Sequence, residues 1–233
     1  EPDEAETVRL FSELEFSSLL PEFLKKARKP SEKVFRTVLE EPELEALAAR
    51  MAAAGEIALD TETDSPAPTR ARLVGLSFAF EPGRAYYVPV GHDYLGAPAQ
   101  IPKARALDIL RHVLEDPAVR KTGQNIKYDL IVLEREGVRL AGISRDTMLL
   151  SYLLEPNWGK HGLDKVALHY LRESKTPYDE IVGKGKNELT MDKVPVEKAA
   201  PYACQDAALA WELGPVLWDK AAGRFLVRLY QHL

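Results

Sequence analysis

An α/β fold, a mixed sheet flanked by helices, is predicted by three observations. Three strand-like runs, "EIALDTE", "RLVGLSFAF" and "AYYVPV", follow one another through short links rich in Pro, Gly and Ser. Such links join antiparallel neighbours, so the sheet begins as a meander. Later in the chain, short strand signals alternate with helical periodicity, which adds parallel strands. The chain's 233 residues, 45% of them apolar, suit one large domain or one domain with appendages.

The elements follow in order. Residues 1–30 run from acidic to basic and hold an amphipathic patch of Phe11, Leu14, Phe16, Leu19, Leu20 and Phe23. This reads as a short helix and a linker. "VFRTVLE" has strand character. "PELEALAARMAAAG" is a helix with Pro42 near its start and Gly55 at its end, the arrangement helix termini favour. After the meander, "PKARALDILRHVLEDP" repeats Leu107, Leu110 and Leu114 at helical spacing. "RKTGQN" returns as a short strand and "IKYDLIVLEREG" as a helix closed by Gly137. "GISRDTMLLSYLLEP" gives a strand and then a helix, with Asp146 as its cap. "GLDKVALHYL" and "EKAAPYACQDAALAWELGPVLWDKAAG" are helical, and Pro201 should kink or restart the last helix at Tyr202.

Composition excludes several classes. With 31 basic and 36 acidic residues the net charge is −5, so a general polyanion binder with a basic stripe is not expected. An enzyme that grips only a strand end is compatible with that balance. Cys204 is the single cysteine, which rules out an internal disulfide and multi-cysteine zinc sites and fits a reducing cytoplasm. It has no evident base partner, which argues against a thiol nucleophile. No apolar run reaches the length of a membrane span, and no signal peptide is visible. The first residue is Glu1, which suggests a piece of a longer protein.

Acids recur in three places where the pattern is otherwise apolar. Asp60 and Glu62 end the strand "IALDTE" on one face, because side chains two apart in a strand point the same way. Asp129 falls in the first turns of the helix after "GQN", where the helix dipole alone would stabilise it and Asn125 can cap. Asp206 sits inside a stripe of Ala199, Ala203, Ala210, Leu213 and Leu217. A carboxylate facing a core is costly unless paired or metal-bound, and no basic residue lies on that stripe. Tyr202, one turn earlier, can lay its hydroxyl beside it. If the first meander strand is central and both helices pack over its end, the four acids converge. Hard oxygen donors of that kind suit Mg²⁺ or Mn²⁺.

"LDTETDS", "GQNIKYD" and "YACQD", in this order, resemble the three motifs of the 3′–5′ proofreading exonuclease family of bacterial DNA polymerase I, in the variant with tyrosine in the third motif. "LVGLSFAFEPG", "YVPVGHDYL", "RDTMLLSYLL", "KHGLDKVALHYL" and "GKGKNELT" are similar to family segments as well. The resemblance implies a ribonuclease-H-like domain over residues 35–222, after a linker at 1–34 that follows a missing 5′-nuclease domain. Residues 223–233 would begin the connection to a missing polymerase domain.

It also implies roles. Asp60 would bridge two divalent ions, and Glu62 and Asp206 would complete the water-activating site. Asp129 would hold the second ion, partly through water. Tyr202 would orient the attacking water. Gln124, Asn125, Tyr128 and Tyr178 would touch the terminal nucleotides, although Tyr128 and Tyr178 also fit as core aromatics. The implied partner is a single-stranded or frayed DNA 3′ end, and the product a deoxynucleoside 5′-monophosphate. A monomer in the bacterial cytoplasm, at the nucleoid, is expected.

The chain departs from the family after "DTETDS": where a bulky apolar wedge is common, it has Pro66, then Ala67 and Pro68. Lys184 and Lys186 could touch phosphate, though a solvated loop explains them as well. An exoribonuclease of the same fold, or an inactive spacer domain, are the alternatives; loss of a motif acid would favour the spacer, and all four are present.

Overall fold

A computed structural model describes residues 33–185 and 188–232. The amphipathic patch, most of the linker read over residues 1–34, and Lys186 lie outside the described residues.

The elements are strand β1 (Val34–Thr37), helix α1 (Glu41–Ala54), strands β2 (Glu56–Thr63), β3 (Leu73–Glu81) and β4 (Arg84–Pro89), helix α2 (Lys103–Leu114), strand β5 (Arg120–Gly123) and helix α3 (Ile126–Arg135). Strand β6 (Ile143–Asp146) and helices α4 (Thr147–Leu154), α5 (Leu163–Leu171), α6 (Tyr178–Val182), α7 (Val196–Gly223) and α8 (Val227–Tyr230) complete the described chain. The strands form one sheet in the order β1-β4-β3-β2-β5-β6. β2, β3 and β4 pair antiparallel, whereas β1–β4, β2–β5 and β5–β6 are parallel. This is the mixed sheet that the sequence predicts, with β2 inside it.

The sheet is covered on both faces. Ile57 and Leu59 of β2 pack with Leu44 and Met51 of α1, Leu110 of α2 and Leu133 of α3. Ala58, on the opposite face, packs with Ala199, Ala203, Ala207 and Ala210 of α7. These small side chains let α7 cross close to the strands, so a polar residue on that helix can reach a strand end. A third cluster joins α4 and α5 to the C-terminal half of α7 through Leu150, Val166, Leu209 and Leu213.

The restart expected at Tyr202 needs correction. α7 runs unbroken through Pro201 and Pro215. Both prolines are exposed, so the carbonyls they leave without a donor can face water, the side on which long helices tolerate stretched bonds. The apolar face opposite holds the helix together. At the end of α1 the expectation holds, since Gly55 closes the helix at φ 68°.

Candidate active site

β2 delivers the first two acids. Asp60 pairs across from Ser77 and Glu62 from Gly75, and the register breaks immediately after Glu62. A bulge there ends regular pairing beside the acids, a common device for aiming side chains at a site. Asp60 and Glu62 share the face of Ala58 and so look toward α7. Asp206 comes down from α7 to meet them. One carboxyl oxygen from each of Asp60, Glu62 and Asp206 lies within 4.8 Å of the other two.

Asp129 arrives from the other layer. Thr61 alternates to the α3 side of β2, and its N–H and hydroxyl donate to Asp129 Oδ1 at 2.9 and 2.7 Å. α3 is set in place by a residue from elsewhere. Asn125 occupies its N-cap position but makes no side-chain capping bond, which corrects the capping role read for it. Asp146, at the end of β6, caps two helices instead. Its Oδ1 accepts from the N–H groups of Asn125, Met148 and Leu149, and its Oδ2 accepts from Ile126. Asn125 is held in the left-handed region at φ 57°, uncommon for a non-glycine residue and frequent where a side chain must be presented.

These acids open onto a cleft of about 460 Å³ that is also lined by Pro66, Gln124, Asn125, Tyr128, Tyr178, Leu189 and Tyr202. Every residue that the sequence singled out for the site therefore lines one space. Gln124 is committed to the fold: its amide donates to His161 O and accepts from Thr147 Oγ1. Tyr128 is likewise tied, through its hydroxyl, to Thr63 and Ser65. Tyr178 is 45% exposed at the cleft wall, its ring 5.9 Å from that of the buried Tyr202. Pro66 lines the cleft, and the half-exposed Leu189 also reaches it. His161 keeps a structural bond, Nδ1 to Ser151 Oγ at 2.9 Å.

Two residues here escape sequence reasoning. Thr61 had a signal, since alternation along "DTET" points it away from Asp60 and Glu62 toward the other layer. Lys175 had none. It lies in the loop before α6, and its Nζ is 2.9 Å from Asp206 Oδ1. The stripe of α7 indeed carries no basic residue, but Asp206 is paired all the same: its partner comes from outside the helix, where periodicity along α7 has no bearing.

Burial dominates the electrostatics. Asp60 is pushed well above the usual carboxylate range by desolvation, then by Asp129, Glu62 and Asp206. Desolvation raises Glu62 to about 8, helped by Asp206. It raises Asp129 to about 7 against the pull of the two Thr61 donors. Asp206 rises less, to about 6, because Lys175 and the Tyr202 hydroxyl favour its charged form. Burial and the neighbouring acids push the Tyr202 phenol far upward, so it stays protonated.

A family of 3′–5′ exonucleases matches residues 35–222. The chain belongs to this 3′–5′ exonuclease family. DNA polymerase I of Pseudomonas aeruginosa is 37% identical over 233 residues, an alignment that takes in 94% of this chain and 26% of that protein. The exonuclease chain thus spans about a quarter of that relative's length. Among solved structures, NrnC of Brucella melitensis with bound Mg²⁺ superposes with a TM-score of 0.56 at 21% identity, over 75% of this chain and 77% of that one. RNase D of Trypanosoma brucei gives 0.62 at 16% identity, over 79% and 65%. These likenesses share the ribonuclease-H-like fold of the exonuclease.

The donor set of the exonuclease suits a hard divalent ion. Glu62 Oε1 is buried with no hydrogen-bond partner, and Asp206 Oδ1 has only the charge contact with Lys175, outside hydrogen-bond geometry. Buried carboxylate oxygens are rarely left so. An oxygen-seeking cation among Asp60, Glu62 and Asp206 would satisfy them. Asp129 has one oxygen committed to Thr61 and one not, so it could serve such an ion from the α3 side.

Proposed function

We propose that this domain removes nucleoside 5′-monophosphates, one at a time, from the 3′ end of single-stranded or frayed DNA. Asp60, Glu62, Asp129 and Asp206 would hold two divalent ions, Mg²⁺ or Mn²⁺. The observation that carries the reading is the convergence of Asp60, Glu62 and Asp206 at the end of one strand, with Asp129 lining the same cleft and two of the acid oxygens lacking a hydrogen bond. When bound, such ions supply positive charge to the scissile phosphate and make a water acidic enough to attack it.

The chain's own groups do the rest. Tyr202 stays protonated and acts through its hydroxyl as a hydrogen-bond group that orients the attacking water. Thr61 fixes the carboxyl of Asp129. Asn125, held in its left-handed conformation, and Tyr178, half exposed, face the terminal nucleotides. Gln124 and Tyr128, whose polar groups are engaged within the protein, shape the wall and offer it by contact. As water attacks phosphorus, the bond from phosphorus to the 3′ oxygen of the preceding nucleotide breaks. That oxygen takes up a proton and becomes the new 3′ end.

DNA as the substrate, and proofreading as the purpose, are supported by the relative named DNA polymerase I, of which this chain covers one part. In that setting the partners would be polymerase and 5′-nuclease domains of a parent chain, acting as a monomer in the cytoplasm. No helix among the described residues is long and apolar enough to cross a membrane. A second reading, an exoribonuclease, draws on the likeness to RNase D. The test is a 5′-labelled single-stranded DNA beside a matching RNA, with Mg²⁺ or with a chelator. Shortening of the DNA from its 3′ end with release of mononucleotides, only with metal, is expected. Preference for the RNA would favour the second reading. Cutting of a closed circular single strand would defeat both, since an exonuclease needs an end.

A further inference from the structure

Lys175 is placed by the fold. Its side chain is 7% exposed, with Nζ 2.9 Å from Asp206 Oδ1 and 3.6 Å from the centre of the Tyr202 ring. The backbone on either side of it is clamped to α7 by one residue. Thr176 N–H donates to Gln205 Oε1 at 2.9 Å, and Gln205 Nε2 donates to Ser174 O at 3.2 Å. Gln205 is the neighbour of Asp206. The clamp therefore sets Lys175 against the acid cluster, in a way a mobile surface lysine is not set.

We infer that Lys175 is the resident counter-cation of the acid site, which a divalent ion must displace to bind. This rests on the reading of Asp60, Glu62 and Asp206 as ion ligands. A buried acid cluster without a cation is costly through desolvation and mutual repulsion. One ammonium, in contact with Asp206 and lying over the Tyr202 face, offsets part of that cost and keeps both side chains in place. It cannot satisfy the cluster fully, because Glu62 Oε1 remains without a partner. A divalent ion among the same carboxylates meets a like charge at Asp206.

The lysine has somewhere to go. A second cleft, lined by Lys175 and Asp206 themselves, also takes in Leu163, Asp164, Thr176 and Tyr178. A flexible four-carbon stem can turn its head there, toward the carboxyl of Asp164, whereas a rigid guanidinium fork would adapt less. Lys175 thus keeps the empty site assembled and lowers its affinity for ions. By linkage, the ion weakens the Lys175–Asp206 contact by the same factor that the contact weakens ion binding.

Direct Mn²⁺ binding tests this, with free Mn²⁺ counted by its paramagnetic resonance in wild type, Lys175→Met, Lys175→Gln and Asp60→Ala. Glutamine removes the charge and keeps a polar side chain, one atom shorter than lysine. Both lysine variants should bind Mn²⁺ more tightly, within the about 5–150-fold range typical of coupled sites, and should melt lower than wild type without metal. If Lys175→Met folds only with Mn²⁺ present, that supports the same competition. Affinity in Lys175→Gln equal to or weaker than wild type, while Asp60→Ala abolishes binding, would overturn the lysine's part and leave the acid site standing. Mn²⁺ binding that Asp60→Ala does not change would overturn the acid site itself, and the lysine's part with it.

Discussion

Thr61 donates twice to one oxygen of Asp129, from its N–H at 2.9 Å and its hydroxyl at 2.7 Å. Thr61→Val keeps the shape and the N–H bond but removes the hydroxyl donor. A group that orients a ligand typically contributes about 10–100-fold to metal affinity or activity. The variant should lose that much of the exonuclease rate on single-stranded DNA while its circular dichroism is unchanged. A wild-type rate in Thr61→Val would mean that Asp129 needs no such anchor.

Asp60→Ala and Asp206→Ala should lose nearly all exonuclease activity, whereas Tyr202→Phe should retain more. On the proposed reading the acids would hold the ions, and the tyrosine, protonated throughout, would only position water, a role that contributes about 10²–10⁴-fold. Rates of 3′-end shortening for the three variants decide this. An active Asp206→Ala would remove Asp206 from the chemistry.

The same two alanine variants should part company in stability without metal. Asp60→Ala removes one of several like charges and should melt at or above wild type. Asp206→Ala takes from Lys175 its buried partner, a loss of up to about 3–5 kcal/mol if the ammonium stays in place. It should therefore melt lower. Calorimetry in a chelator measures both, and a rise in the Asp206→Ala melting temperature would show that Lys175 is not held by that acid.

Stability without metal should fall as pH rises toward 8. Glu62, Asp129 and Asp206 are raised to about 8, 7 and 6 from ordinary values of 4.5, 3.8 and 3.8. Between the ordinary and the raised values the folded chain keeps protons that the unfolded chain has released. Their contribution is complete below that window and is lost as pH rises through it. Ion binding runs the other way, because protons must leave the ligands, so the gain in melting temperature from Mg²⁺ should grow from about pH 6 to about pH 8. At a hundredfold excess over Kd that gain corresponds to about 2.7 kcal/mol. Equal Mg²⁺ shifts in wild type, Asp60→Ala and Asp206→Ala would place the ions elsewhere.

Much of this was legible in the sequence because it is periodic. Alternation in "IALDTE" put Asp60 and Glu62 on one face, and the alanine and leucine stripe of α7 exposed Asp206 as an intruder. The unbroken helix through Pro201 was not legible, because whether a proline breaks a helix depends on what lies on its other side. Lys175, and the second role of Asp146, went unread for a related reason. Their partners are distant in the chain: Lys175 reaches α7 from a loop, and Asp146, readable as the cap of its own helix, also caps α3. Periodicity describes which way a side chain points and not what comes to meet it.

The double cap at Asp146 puts distant parts of the chain mechanically in series. Its own N–H donates to the hydroxyl of Tyr230, on α8, at 2.6 Å, and its carboxylate grips the N–H groups of Asn125 and Ile126. A tug on α8 is thus relayed, through one residue, to the peptide that presents Asn125 to the cleft. The last helix of the described chain is thus tied, through hydrogen bonds at Asp146, to the backbone of a residue that lines the cleft.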